Sequence, residues 1–221
     1  MIEMQSSLLD RDALFIYAYT RGSFAPKPMP LTQGAVTFAS ACHGDESRDD
    51  GTPYINHPLA ACKILIDLGV NDDHILAATI LHDVVENKKT TLEIVKERFG
   101  DQVTHLVDIQ TKREGESIEE YYSRIQSEIG SIIGKGADRL TNITNIVGVF
   151  DFERLKLYIN QTEQYVIPML KSNRYAYLEY TNVLVVLHDS IKNIVNLARH
   201  YIRVQEENER LKNTDRNAVK I

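Results

Sequence analysis

The run Ile75-Leu76-Ala77-Ala78-Thr79-Ile80-Leu81 contains no Gly or Pro and passes directly into His82-Asp83-Val84-Val85-Glu86-Asn87. Such a run predicts a helix buried on most sides. A buried helix does not turn His, Asp and Glu inward without compensation, because desolvating a carboxylate costs several kcal/mol. Adjacent His82 and Asp83 offer two atom types to one pocket, and Glu86, three residues on, shares the helix face of Asp83. A divalent metal held by imidazole and carboxylate, with a second carboxylate nearby for acid–base work, accounts for all three. The plainer alternative places His82 at a helix end with Asp83 and Glu86 solvated, so the choice rests on residues elsewhere in the chain.

No stretch alternates for long with period two, and Gly and Pro fall between segments, so the expected fold is all-α, a compact helical bundle with long C-terminal helices and no internal repeat. The segments predicted helical are Leu8 to Tyr19, Leu31 to His43, a helix from about His57 to Leu68 closed by Gly69, and the opening run capped by Asn71 or Asp72. They continue with a short helix capped by Thr90 or Thr91 that stops at Gly100, and another over Asp101 to Gln110. Ser117-Ile118-Glu119-Glu120 fits a capping box. Gly130 to Asn145 follows, and Phe152 to Leu170 and Tyr175 to about Leu211 form two long helices. Residues 1–30, with three prolines near their end, read as an N-terminal extension, 31–211 as the helical domain and 212–221 as a polar tail.

With 221 residues, 43% hydrophobic and 25% charged, the chain has the make-up of an ordinary globular protein with one sizeable core. No apolar run approaches the roughly 20 residues that span a bilayer, and Met1 to Asp12 lacks the order of a signal peptide. No membrane partner and a cytoplasmic location are expected. A formal net charge of −6 argues against nucleic acid as a partner, which requires clustered Lys and Arg, while a local basic pocket for a small anion remains open. Cys42 and Cys62 match no metal-binding or disulfide spacing and are expected to be free thiols.

Four polar islands stand at the ends of apolar segments: Arg48 in a loop, His57 at a helix start, His82-Asp83 with Glu86, and Asp138 with Asn142. His57, His82, Asp83 and Asp138 together give two imidazole nitrogens and two carboxylates, a set suited to Mn, Fe or Zn over Ca or Mg. Four protein ligands leave positions for water and a substrate oxygen, and a water of lowered pKa is a nucleophile for hydrolysis.

The order His, His-Asp, Asp is the signature of HD-domain phosphohydrolases. The fuller set, His43, Arg48, Gly51-Thr52-Pro53-Tyr54-Ile55-Asn56-His57-Pro58, His82-Asp83-Val84-Val85-Glu86 and Ala137-Asp138-Arg139-Leu140-Thr141-Asn142, closely resembles the hydrolase domain of the RelA/SpoT homologues over roughly residues 31–170. The resemblance implies an HD-domain helical bundle of the stand-alone small alarmone hydrolase type, acting on a guanosine nucleotide, (p)ppGpp, by manganese-dependent removal of its 3′-pyrophosphate. It assigns His57, His82, Asp83 and Asp138 to the metal, Glu86 to proton transfer, and Arg48 and Asn142 to the nucleotide. Three positions depart from the family pattern. Asn87 stands at a catalytic position where an acidic residue is usual and cannot take up a proton, Asp49-Asp50 replaces a basic-Ser loop, and Ile143-Thr144-Asn145 replaces an Arg-Thr. Hydrolysis of another phosphorylated nucleotide such as NADPH, or nucleotide or partner binding without turnover, are the alternatives these departures raise.

Lys156 is counted with the substrate contacts, since it lies with Tyr158 and Tyr165 where a helix can line the nucleotide pocket; the plainer reading of the tyrosines is as core residues with hydrogen-bonded hydroxyls. His43 reads as a cation at a helix C-terminus, Lys135 either as a group that orients or neutralises the site or as a simple ion pair near Asp138, and His74, His105, His188 and His200 as surface or half-buried residues.

Overall fold

Local signals in the chain set most helix boundaries. In the computed structural model, residues 15–16, 19–20, 27–49, 51–144 and 149–218 are described. The helices are α1 (Pro30–His43), α2 (Asn56–Asp67), α3 (Asp73–Glu86), α4 (Leu92–Gln110), α5 (Ile118–Ile125), α6 (Ile129–Thr144), α7 (Phe152–Gln161), α8 (Ile167–Ser172) and α9 (Thr181–Ala218). A π-helical turn, Thr162–Val166, joins α7 to α8. Among the described residues there is no strand, only an isolated bridge between Ser47 and Pro53, and no helix is long and apolar enough to cross a membrane.

Asp72 caps α3 by accepting hydrogen bonds from the His74 and Ile75 amides, and Ser117 with Glu120 forms the expected capping box on α5. Gly69, at φ 89°, closes α2. Its amide donates to the Ile66 carbonyl and that of Val70 to the Leu65 carbonyl, the paired bonds that end a helix in a left-handed residue. At Gly100, φ 80° and ψ 177° kink α4 between its two predicted halves. The two long C-terminal helices differ from expectation. The first contains the π turn, and the second begins at Thr181 because residues 173–180 form a turn and a short 3-10 segment. Thr181 Oγ1 donates to the Arg174 carbonyl across that turn, and Tyr175 and Leu178 are each 79% exposed, so no buried stripe holds them in a helix. Helix α9 then runs to Ala218, past the start of the predicted polar tail. The expected helix over Leu8 to Tyr19 lies mostly outside the described residues, though Phe15 and Ile16 within it are helical.

Helix α3 packs against α1, α2, α4 and α6, and α6 packs in turn against α2 and α9. All seven residues from Ile75 to Leu81 are buried, which places the end of α3, with His82 and Asp83, inside this assembly. Glycines on α6 permit the approach of α3 and α4. A Cβ at Gly130 would lie 3.0 Å from Ile75 Cγ1 and 3.1 Å from Leu106 Cδ2, and one at Gly134 2.7 Å from Gln110 Oε1 and 3.3 Å from Thr79 Oγ1.

Helix α1 has no side-chain cap of its own at Met29. Its first turn is satisfied by Asp73, the first residue of α3, whose carboxylate accepts from the Leu31 amide at 3.0 Å, the Thr32 amide at 2.8 Å and the Thr32 hydroxyl at 2.7 Å. Removing it leaves buried donors unsatisfied. Asp73→Ala is therefore expected to cost about 1–3 kcal/mol, read as a lower urea midpoint at unchanged m-value, with Asp73→Asn retaining part of the stability.

Candidate metal centre and adjoining pocket

Two imidazoles and two carboxylates from three helices meet at the centre of the bundle. His57 comes from the first turn of α2, His82 and Asp83 from the last turns of α3, and Asp138 from α6. His57 Nε2 is 2.9 Å from Asp138 Oδ1 and 3.8 Å from Asp83 Oδ2, and His82 Nε2 is 3.2 Å from Asp83 Oδ1 and 3.6 Å from Asp138 Oδ1. Ligand atoms of His57, His82 and Asp138 all lie within 4.8 Å of one another, and all three residues are buried. Asp83 joins by presenting one oxygen to each imidazole.

The second contacts fix how these groups point. His82 Nδ1 lies 2.7 Å from the Thr79 carbonyl, an acceptor that requires a proton on Nδ1. Nε2 is then directed at the cluster, where it is buried and makes no hydrogen bond. A buried nitrogen without a hydrogen-bonding partner, beside two carboxylates, fits a ligand to a cation, and the mixed imidazole and carboxylate donors fit a transition metal. Tyr54 Oη donates to Asp83 Oδ2 at 2.9 Å, with its ring stacked on His43 at 4.6 Å. Asp138 receives Lys135 Nζ on Oδ2 and Asn142 Nδ2 on Oδ1, each at 2.7 Å.

The charges are mutually dependent. Burial works against an ionised Asp138, yet Lys135 and the His57 and His82 contacts hold its carboxyl well below the usual range. Burial likewise opposes a charged Lys135, and Asp138 outweighs it, keeping the ammonium well above its ordinary value. For His82, burial is again the largest influence and favours the neutral ring, but Asp83 and Asp138 together raise it to about 9. Asp83 is lowered by His82 and His57 against the cost of burial. A proton on His82 thus offsets the two carboxylates where a cation would.

A cavity of about 360 Å³ opens from this cluster. Asp83, Glu86, Lys135 and Asp138 line it together with Arg48, Asn142, Arg139, Tyr158, Phe150 and Arg154. Arg48 Nη2 donates to Asn142 Oδ1 at 2.7 Å, and its guanidinium lies 5.7 Å from the Tyr54 ring centroid. Glu86 is exposed at the rim, where Oε2 accepts from the Lys112 amide at 3.1 Å. Buried Arg139 lies 4.0 Å over the Tyr158 ring and donates to Tyr122 Oη and Thr162 Oγ1, tying the π turn to α6.

His57, His82, Asp83, Glu86, Asp138, Arg48 and Asn142 therefore share one site. Asn87 is the C-cap of α3, its Nδ2 buried without a hydrogen-bonding partner, and it does not line the cavity. Lys156 also stands outside the lining, paired with Glu153 at 2.9 Å and Glu206 at 3.4 Å: on α7 it points to α9. Tyr158 does line the pocket, whereas Tyr165 is engaged with Glu119 and stacked on Tyr122. Asp49 lines the cavity, and Arg154 pairs with it at 2.7 Å; Asp50 and Asn145 lie outside the described residues. Sequence reasoning gave no role to Tyr54 or Arg139. Both lie within the quoted motifs, but only the tertiary contacts disclose what they hold. Arg154 and Phe150 carry no local signal at all.

A helical cage holding His, His-Asp and Asp around one point defines an HD-domain protein. A model of the HD domain matches residues 35–132. The chain is 32% identical over 213 residues to a guanosine-3′,5′-bis(diphosphate) 3′-pyrophosphohydrolase of Aquifex aeolicus, covering 85% of this chain but only 30% of that protein's length. It is 37% identical over 123 residues to the Mus musculus protein named guanosine-3′,5′-bis(diphosphate) 3′-pyrophosphohydrolase MESH1, covering 51% of this chain and 67% of that one. The solved structure reported as a metazoan ortholog of SpoT superposes with a TM-score of 0.64 at 24% identity, over 78% of this chain and 98% of that one, the same fold. The chain belongs to the HD-domain family that includes MESH1.

Linkage through His82 yields opposite pH trends with and without metal. A folded-state pKa of about 9, against 6.5 for an unperturbed ring, adds stability that is full below pH 6.5 and lost as pH rises through 9. Metal must displace that proton, so affinity rises over the same interval. The urea midpoint in chelator is expected to fall from pH 6.5 to 9, while calorimetric metal affinity increases and proton release per metal bound declines.

Proposed function

We propose that this protein is a metal-dependent hydrolase that removes the 3′-pyrophosphate from guanosine 3′,5′-bis(diphosphate) and its pentaphosphate form, giving GDP or GTP and pyrophosphate, with Mn²⁺ as its metal. The observation that carries this reading is the buried His57, His82 and Asp138 cluster, with His82 Nε2 directed into it and Asp83 alongside, at the inner end of a cavity lined by Arg48, Lys135 and Arg139. The names of the Aquifex and mouse relatives supply the substrate.

In this reading His57, His82, Asp83 and Asp138 hold the metal, which supplies Lewis acidity toward a water and a phosphoryl oxygen. The water oxygen bonds to the 3′-phosphorus, the ribose 3′-oxygen leaves and is protonated, and pyrophosphate departs. Glu86, at the rim beside the cluster, takes the proton from the attacking water. Tyr54 keeps Asp83 oriented through the 2.9 Å bond to Oδ2. Arg48 and Asn142, already bonded to each other, position the nucleotide, with the guanidinium available to a base face or a phosphate. Lys135 stays charged beside the reacting phosphates.

Pyrophosphate release from ppGpp with added Mn²⁺ tests this directly. Asp83→Ala is expected to abolish turnover and metal binding, and Glu86→Gln to lower kcat about 10²–10⁴-fold with metal content unchanged; a metal-loaded wild type that releases no pyrophosphate would refute the reading.

Asn87 favours a second reading, an HD domain with weakened turnover. An amide at the end of α3, beside the Tyr54 hydroxyl, cannot exchange a proton as a carboxylate would. Asn87→Asp is expected to raise kcat at least tenfold if that loss limits the rate, in the same pyrophosphate assay.

A further inference from the structure

Helix α9 runs from Thr181 to Ala218, and its exposed side carries an apolar stripe among polar residues. Five of the ten exposed large hydrophobic residues among those described lie on it: Val186 at 38%, Leu197 at 68%, Tyr201 at 38%, Val204 at 40% and Leu211 at 59%. Its opposite face is committed to the core through Leu184, Leu187, Ile191, Val195, Ala198 and Ile202, all at most 3% exposed. Ion pairs of Arg199 with Glu163 and of Lys156 with Glu206 fasten the same region to α7 and the π turn. The helix therefore presents two apolar stripes, only one of which its own fold covers.

The uncovered stripe has the phase of a coiled-coil seam. Leu197, Tyr201, Val204, Asn208 and Leu211 follow one another at intervals of 4, 3, 4 and 3 residues, which makes Tyr201 and Asn208 a positions and Leu197, Val204 and Leu211 d positions. A stripe that served only as solvent-facing surface has no need of that alternation. We infer that this face pairs with the same face of a second copy of the chain, as a parallel two-stranded coiled coil about a two-fold axis along α9.

Two features select a second copy, in parallel, as the occupant. Asn208 is an exposed polar residue at an a position. In a parallel pair it meets its own counterpart, and the two amides satisfy each other, the device that fixes register and two-strandedness. In the antiparallel pairing of this register it would meet Leu197 and be left unsatisfied. The flanks agree: His200, at g, faces Gln205 of the second copy at e, a polar pairing without a carboxylate. Arg203, Glu206 and Arg210 take c and f positions, on the side of the helix away from the seam, so two copies meet without a block of like charge. The seam shares no residue with the lining of the metal-site cavity.

Sedimentation equilibrium of the full chain, from about 1 to 100 µM, is expected to show a reversible dimer. The double variant Leu197→Asp, Val204→Asp, with circular dichroism confirming its fold, is expected to weaken dimerisation by more than about a hundredfold while pyrophosphate release is unchanged. Asn208→Cys is expected to form a disulfide-linked dimer on mild oxidation, whereas wild type, whose Cys42 and Cys62 lie elsewhere, does not. A wild type that stays monomeric throughout, a dimer indifferent to the aspartates, or an Asn208→Cys dimer that fails to cross-link would each overturn the proposal.

Discussion

Asp138 is an ionised carboxylate only 4% exposed in a bundle of aliphatic side chains, and the surrounding helices are arranged to make that tolerable. Its oxygens take Lys135, Asn142 and His57 at 2.7–2.9 Å, with His82 just beyond. Each partner is set by a separate structural decision. Lys135 and Asn142 lie three residues before and four after it on the same helix, His57 arrives at the start of α2, and His82 arrives at the end of the most buried helix. Losing one partner leaves the carboxylate under-compensated, whereas a cation satisfies the whole group. Packing and chemistry are therefore one problem here: the glycines that admit α6 against α3 and α4 also bring Asp138 to His82.

Much of this was legible in the amino-acid order. The apolar run before His82, the capping residues Asp72 and Ser117, and the stops at Gly69 and Gly100 are local signals, and the helices begin or end where those signals stand. The meeting of His57, His82, Asp83 and Asp138 was legible because buried helices rarely end in His-Asp, and the separated motifs came in a known order. What lay beyond reach was tertiary. Asp73 reads as a first-turn acid of its own helix and serves instead as the cap of α1. Lys156 follows the spacing of a pocket-lining residue, but the twist of α7 turns it to Glu206. Tyr158, two residues on, is the one that lines the cavity, because Arg139 stacks on its ring.

The departures from the family pattern have different weights once placed. Asp49 adds negative charge to a pocket suited to anions, but Arg154 pairs with it across 105 residues of sequence and stacks on Phe150 at 3.7 Å. That wall is thus a neutral pair with an aromatic floor, both members about half exposed, and its contribution to stability is small. Asn87 differs, since an amide at that position cannot carry a proton as a carboxylate would.

Arg48, Asn142 and Asp138 form a thread from the mouth of the cavity to its innermost donor set. A guest that draws the guanidinium away frees the Asn142 amide to turn, and with it the hydrogen bond that steadies one oxygen of Asp138. A guest bound at Arg48 and an ion held beside Asp138 would thus each alter the affinity for the other, by thermodynamic reciprocity. One asparagine serves as the hinge of that exchange.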